Sequence, residues 1–344
     1  MHRPPTIALT MGDPCGIGPE VILRALGHAR LRRRACFLVF GSRAVMRAVA
    51  RRFGLDDSFL RETVPPGILQ GGDTFLVDVA PLPARLAASG KPTAAGGRAA
   101  VNCIREAVEA VRLGAAAALV TAPINKTALT LAGERWPGHT ELLGHLCSAQ
   151  PVMMLVGGGL RVALVTTHCA VRDLPRLITK TRVLSTISIV AGELRQSFGI
   201  AAGRIAVCGL NPHAGEAGRF GHEEERAITP AIDAARRQGI ACIGPLPADV
   251  VFYHMLQGRY DAVVAMYHDQ ANIAVKTLDF TRGVNVTLGL PLVRTSPDHG
   301  TAYDIAPLGR ADERSLMAAI ELALAIAARR GLCQARLHTQ RRAR

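Results

Sequence analysis

Three histidines, His168, His213 and His268, each stand a few residues past an apolar, β-rich run: Val162–Thr166, Ile205–Cys208 and Ala262–Met266. If those runs are parallel strands, the imidazoles lie just beyond carboxyl ends, where open α/β sheets bind ligands. Neutral imidazole is a nitrogen donor for divalent metals, and three of them leave coordination positions open for a substrate. One histidine after a strand more often packs or caps than ligates. For these three, one shared metal and three separate packing roles stand side by side as readings. Asp173, Glu216, Asp249 and Asp269 are close enough in sequence to orient the imidazoles or simply to cap helices.

A second cluster is Gly138-His139-Thr140-Glu141. As a turn entering a helix it offers backbone N–H groups and a hydroxyl to an anion; its plainer reading is a helix start with Thr140 as the cap. A third is Lys276, Asn285 and Arg294, in a segment that also holds Gly283, Gly289 and Pro291. Only four lysines occur in the chain, so Lys276, eight residues past His268, stands out. Ammonium, amide and guanidinium together suit a phosphate or carboxylate, although each alone is an ordinary surface group. The Gly12–Gly18 loop lacks the dinucleotide-binding glycine spacing, and there is no Walker A motif. Gly157-Gly158-Gly159 reads as a hairpin turn.

These residues need elements to hold them. Ile7–Thr10, Cys36–Phe40, Thr74–Val79, Ala118–Thr121, Val152–Val156, Val162–Thr166, Ile205–Cys208 and Ala262–Met266 read as strands. Gly18–Leu31, Ser42–Phe53, Ala95–Leu113, Thr181–Phe198, Glu223–Gln238 and Ser315–Arg330 read as helices. Alternation of this kind predicts an α/β fold with a largely parallel sheet. Ala80–Pro92 is the expected excursion, and the residues from 331 to 344 read as a basic tail.

The composition agrees. The chain is 49% apolar with 4% aromatic residues, so Ala, Val, Leu and Ile must build the core. A formal charge of +14 invites an acidic partner, but the arginines are scattered and carry no interleaved aromatics, which argues for a solvated surface and against nucleic acid. A non-catalytic, basic nucleic-acid-binding protein is the rival from another class. The eight cysteines form no CxxC pair and read as reduced thiols. Met1 leads into the first strand without a signal-peptide apolar region, and no stretch is apolar enough to span a bilayer. The expected setting is the cytoplasm, with no membrane partner.

Taken together, these segments resemble the 4-hydroxythreonine-4-phosphate dehydrogenase family of pyridoxal phosphate biosynthesis. The resemblance is carried by Met11-Gly12-Asp13-Pro14, Thr121-Ala122-Pro123-Ile124-Asn125-Lys126, Pro137-Gly138-His139-Thr140-Glu141 and Thr166-Thr167-His168. It continues through Gly209–Glu216, Gly244–Asp249, Met266-Tyr267-His268-Asp269-Gln270, Gly283–Pro291 and Arg294–Ala302. Ala271 stands where the family usually has glycine, and Ala274 where it commonly has proline.

The resemblance implies two α/β/α domains with a central cleft, like the isocitrate and isopropylmalate dehydrogenases. The expected division is residues 1–128 with 296–330, then 129–295. It implies NAD or NADP as cofactor, bound without the usual fingerprint, and one divalent metal (zinc, magnesium, cobalt or manganese) held by His168, His213 and His268. It implies a homodimer that shares this site, with substrate contacts from His139, Thr140, Lys276, Asn285 and Arg294. Lys276 and Asp249 are the candidates for catalytic proton handling. The implied reaction oxidises 4-phosphohydroxy-L-threonine to a β-keto acid that decarboxylates. Oxidation of D-threonate or D-erythronate 4-phosphate is the rival within the superfamily.

Overall fold

The computed structural model describes residues 4–62 and 71–332. Most of the expected basic tail therefore lies outside the described residues. Contacts divide the chain into two compact units: the described residues up to 149 together with those from 290 onward, and Gln150–Gly289.

Unit 1 opens with β1 (Thr6–Thr10), α1 (Gly18–Gly27), α2 (Ala29–Arg32), β2 (Cys36–Gly41), α3 (Arg43–Phe53) and β3 (Leu60–Arg61). It continues with β4 (Thr74–Asp78), α4 (Ala94–Arg112), β5 (Ala118–Thr121), α5 (Lys126–Leu131) and α6 (His139–Leu146). Unit 2 holds β6 (Val152–Gly157), β7 (Leu160–Leu164), α7 (Leu174–Leu177), α8 (Lys180–Gln196), β8 (Ile205–Cys208) and α9 (Thr229–Arg237). It ends with β9 (Cys242–Leu246), α10 (Ala248–Leu256), β10 (Ala262–Ala265), α11 (His268–Leu278) and β11 (Val284–Leu288). The chain then returns to unit 1 as β12 (Arg294–Pro297) and α12 (Arg314–Arg329).

In unit 1 the strands run β3-β4-β2-β1-β5-β12, all parallel. Every residue of β1 and β2 is buried, as expected of parallel strands covered on both faces. Thr93 starts α4 by accepting a hydrogen bond from the Gly96 N–H. The Val101, Ile104 and Val108 face of α4, at helical spacing, then packs with Ala8, Leu38 and Leu119. Leu142 and Leu143 of α6 and the adjoining Leu290 and Leu292 join the same core. Their burial explains why the unit boundaries fall at 149 and 290, where the sequence suggested 128 and 296.

Unit 2 orders its strands β11-β6-β7-β10-β8-β9. β7, β10, β8 and β9 are parallel, whereas β11–β6 and β6–β7 are antiparallel. The reversal comes from the Gly158-Gly159 turn, where φ is 57° and 85°; two left-handed residues match the twist of a tight hairpin. One sheet face packs Val162, Leu164, Val263 and Ala265 against Val251 and Met255 of α10 and Ala271 and Val275 of α11. Because strand side chains alternate, the buried Ala163, Ala262 and Val264 face the other way.

Among the described residues no helix is long and apolar enough to cross a membrane, and the seven cysteines described are free thiols.

Candidate functional site

In unit 2 the three histidines leave one edge of the sheet. β7, β10 and β8 are adjacent and parallel, so their carboxyl ends share an edge, and His168, His213 and His268 follow those ends. Pairing persists past the strands: the Thr166 N–H donates to the Met266 carbonyl at 3.1 Å and the Thr166 hydroxyl to the same oxygen at 2.7 Å. This brings the His168 and His268 rings within 5.6 Å, centroid to centroid. A cleft of about 390 Å³ opens beside them, lined also by Cys169, Val171, Leu174 and Tyr267. Two imidazoles on one ion, with metal–nitrogen bonds of about 2.1 Å, place ring centroids about 5 Å apart at a tetrahedral angle. The observed pair fits that requirement.

His268 is the first residue of α11, and its Nδ1 lies 2.6 Å from Asp269 Oδ1. A carboxylate there holds the proton on Nδ1 and leaves Nε2 as the free donor. His213 sits in a short 3₁₀ turn, Pro212–Gly215, with φ at +52°. Its ring neighbours Phe220 at 6.4 Å. Among the described residues no three His, Cys, Asp or Glu side chains gather as one metal-holding group, so this chain alone brings His168 and His268 together but does not join His213 to them.

Lys276 lies in the last turn of α11. Asn285, in β11 opposite Leu155, keeps a buried Oδ1 that meets no hydrogen-bond partner among the described residues. Asp249 is exposed in the first turn of α10. Ala271 and Ala274 lie inside α11, where Ala271 is fully buried in the core. Alanine favours an unbroken helix where glycine or proline would not.

Unit 1 holds the other half of the expected residues. Helix α6 begins at His139 with Gly138 as its N-cap, which corrects the plainer reading of Thr140 as the cap; Thr140 is instead in the first turn. Arg294 opens β12, is only 2% exposed, and donates through a terminal nitrogen to the Thr121 hydroxyl at 2.6 Å. Burial pushes its guanidinium down to about 9, so it keeps its charge at neutral pH. His139 is held well below the usual histidine range, first by burial and then by the nearby Arg294 charge. Its buried Nε2 meets no hydrogen-bond partner among the described residues. A neutral imidazole beside a buried cation is an arrangement suited to an anion.

Residues that spacing did not single out support these groups. Asp13 is fully buried and accepts from the Cys15 N–H at 2.8 Å and the Tyr303 hydroxyl at 2.6 Å; burial raises its carboxyl despite those bonds. Gln270 accepts from the Met266 N–H at 2.7 Å and donates to the Gly209 carbonyl at 2.9 Å, tying the ends of β10 and β8. Asp13 and Gln270 both lie in the motifs that carry the family resemblance; Glu224, which grips the loop before His213, has no such signal.

A family model described as pyridoxal phosphate biosynthetic protein PdxA matches residues 33–323. A protein of Geobacter metallireducens named 4-hydroxythreonine-4-phosphate dehydrogenase is 48% identical over 95% of this chain and 97% of its own length. A D-threonate 4-phosphate dehydrogenase of Cupriavidus necator is 46% identical over 95% and 98%. The crystal structure of 4-hydroxythreonine-4-phosphate dehydrogenase from Klebsiella pneumoniae superposes with a TM-score of 0.84 at 42% identity, covering 94% of this chain and 99% of that one. The chain belongs to the pyridoxal phosphate biosynthetic protein PdxA family of dehydrogenases.

Proposed function

We propose that the chain oxidises the secondary alcohol of 4-phosphohydroxy-L-threonine, with NAD or NADP as acceptor, in cytoplasmic pyridoxal phosphate biosynthesis. The product is 2-amino-3-oxo-4-phosphooxybutanoate, a β-keto acid that loses carbon dioxide to leave 3-amino-2-oxopropyl phosphate. The observation that carries this reading is the His168–His268 pair, 5.6 Å apart beside a cleft at strand carboxyl ends. When bound, a divalent metal favours loss of the alcohol proton and the nicotinamide accepts the hydride.

The chain's own residues divide the work. His168, His213 and His268 would hold the metal, with Asp269 keeping the His268 proton on Nδ1. Arg294, charged, and His139, neutral, recognise the anionic end of the substrate together with Thr140. Lys276 and Asn285 add a cation and an amide oxygen for the remaining polar groups. Lys276 and Asp249 handle protons as the alcohol is oxidised and carbon dioxide leaves. A homodimer is part of the proposal. It is supported by the outer faces of α10 and α11, where Tyr253 and Ile273 are 61% and 66% exposed.

A second substrate is favoured by the Cupriavidus necator relative, whose name specifies D-threonate 4-phosphate. The two substrates share the phosphate and the vicinal alcohol but differ at C2, amine against hydroxyl. The test is optical detection of nicotinamide reduction with each compound, before and after chelation. Activity with the amino acid that disappears on chelation and returns with metal is expected. Full turnover by protein shown metal-free by elemental analysis would overturn the metal assignment, and exclusive use of the sugar-acid phosphate would overturn the substrate.

A further inference from the structure

The turn that carries His213 is conformationally costly. His213, Ala214, Glu216 and Ala217 all have positive φ, between 44° and 55°. Non-glycine residues avoid that region, so the surroundings must hold them there. The holding group is Glu224, only 4% exposed, in a π-helical turn (Glu224–Ile228) that opens directly into α9. Single π-turns often mark functional places in a helix.

Glu224 Oε1 accepts from the backbone N–H groups of Leu210 and Asn211, at 2.7 and 2.8 Å. Its Oε2 accepts from the Asn211 amide at 2.9 Å. The preceding carbonyl, Gly209, is held from the other side by Gln270 at 2.9 Å. Three consecutive residues leading into the His213 turn are thus gripped by buried or half-buried side chains. The fit is close: a Cβ on Gly215 would lie 2.8 Å from Glu224 Oε2, and one on Gly209 would lie 2.7 Å from Ala214 Cα. Nothing bulkier than glycine fits between the carboxylate and the turn.

We propose that Glu224 is a positioning residue for His213, holding the strained turn so that the imidazole is ready to take a divalent metal before any arrives. The proposal rests on the reading of His213 as a metal ligand. A group that orients a ligand alters metal affinity by about 10- to 100-fold.

The experiment strips the full-length protein with chelator and titrates it with Co²⁺. Affinity is read by competition with a chromophoric chelator, and ligation by the visible cobalt spectrum. Thermal unfolding of the metal-free protein is recorded alongside. Glu224→Gln keeps an oxygen for the two backbone donors but puts an amide where the Asn211 side chain donates. It should weaken Co²⁺ binding at least about 10-fold and alter the spectrum, at temperatures where the variant is fully folded. Asn211→Ala removes the side-chain contacts to Glu224 and Glu223 but leaves both backbone bonds to Glu224, and should weaken binding by a smaller factor; it serves if the glutamine variant does not fold. His213→Ala separates the two ideas. If it binds Co²⁺ as the parent does, His213 is not a ligand and the reading beneath the proposal fails. If it loses affinity while Glu224→Gln and Asn211→Ala stay within about twofold of the parent, the positioning role is wrong even though the metal site stands.

Discussion

His139 and Arg294 show how one residue sets the state of another. Arg294 can be buried because it donates to Thr121. Its charge then adds to burial in keeping His139 neutral, so the pair sets one cation beside one uncharged ring. This has a signature in stability. His139 titrates near 6.5 when the chain is unfolded and well below that when folded. Below pH 6.5 the unfolded state therefore binds the extra proton, and stability is lost as pH falls, whereas above it the contribution is complete. Asp13 works in the opposite sense, since its folded carboxyl is raised, and it does so in a lower range set by its ordinary value of 3.8. Denaturant unfolding between about pH 7 and pH 5 should show a steeper decline for the parent protein than for His139→Gln. Parallel profiles would mean that the ring titrates normally and is not sealed beside the guanidinium.

At the scale of elements, what was readable depended on how much of the signal was apolar. β5 and β8 fall where the runs Ala118–Thr121 and Ile205–Cys208 predicted them, because short, largely apolar stretches that end at Thr121 or just before Gly209 admit few alternatives. β11 and β12 were not read because they bury Thr287, Arg294 and Thr295, which look like loop chemistry in a sequence. α11 escaped for a related reason, since its buried face includes Asn272, whose amide donates to the His268 carbonyl at 3.1 Å. The histidines were legible from their places after strands; the grip of Glu224 on Asn211 was not, because no spacing says which backbone a buried carboxylate will find. Glycine in the β1–α1 loop gives a test of element packing. Gly12 has φ +72°, and a Cβ there would lie 2.4 Å from the Pro123 carbonyl oxygen beyond β5. Gly12→Ala should cost at least about 1–3 kcal/mol, read from the denaturant midpoint. Gly27→Ala, with nothing within 4 Å of the added carbon, should be close to neutral. Equal effects would show that the close approach of β1 and β5 is not what glycine serves.

For the whole molecule, the formal charge of +14 is the excess of basic over acidic residues, and part of the surface is neutralised by pairs such as Arg61–Asp73 at 2.9 Å and Arg204–Asp261 at 3.2 Å. Exposed pairs of this kind contribute little to stability; they keep the surface wet. The outer face of α11 breaks that pattern at Ile273 and at Phe280 just past its end, 66% and 78% exposed. If two copies associate through this face, Ile273→Glu should shift the chain toward monomer in sedimentation at micromolar concentration while its circular dichroism is unchanged. An unaltered sedimentation profile would assign that face to solvent. The layout of unit 1 carries a further consequence, for birth of the protein on the ribosome. Its sheet is interrupted after residue 149 and resumes at 290, so the Thr121–Arg294 bond spans 173 residues. At translation rates of about 5–20 residues per second, the inserted unit alone delays closure by on the order of ten seconds. During that interval the nascent first half has β5 as an open sheet edge and His139 without its arginine. Unit 2 can mature before β12 arrives, and the proposed pairing of His139 with Arg294 must wait for the second part of unit 1.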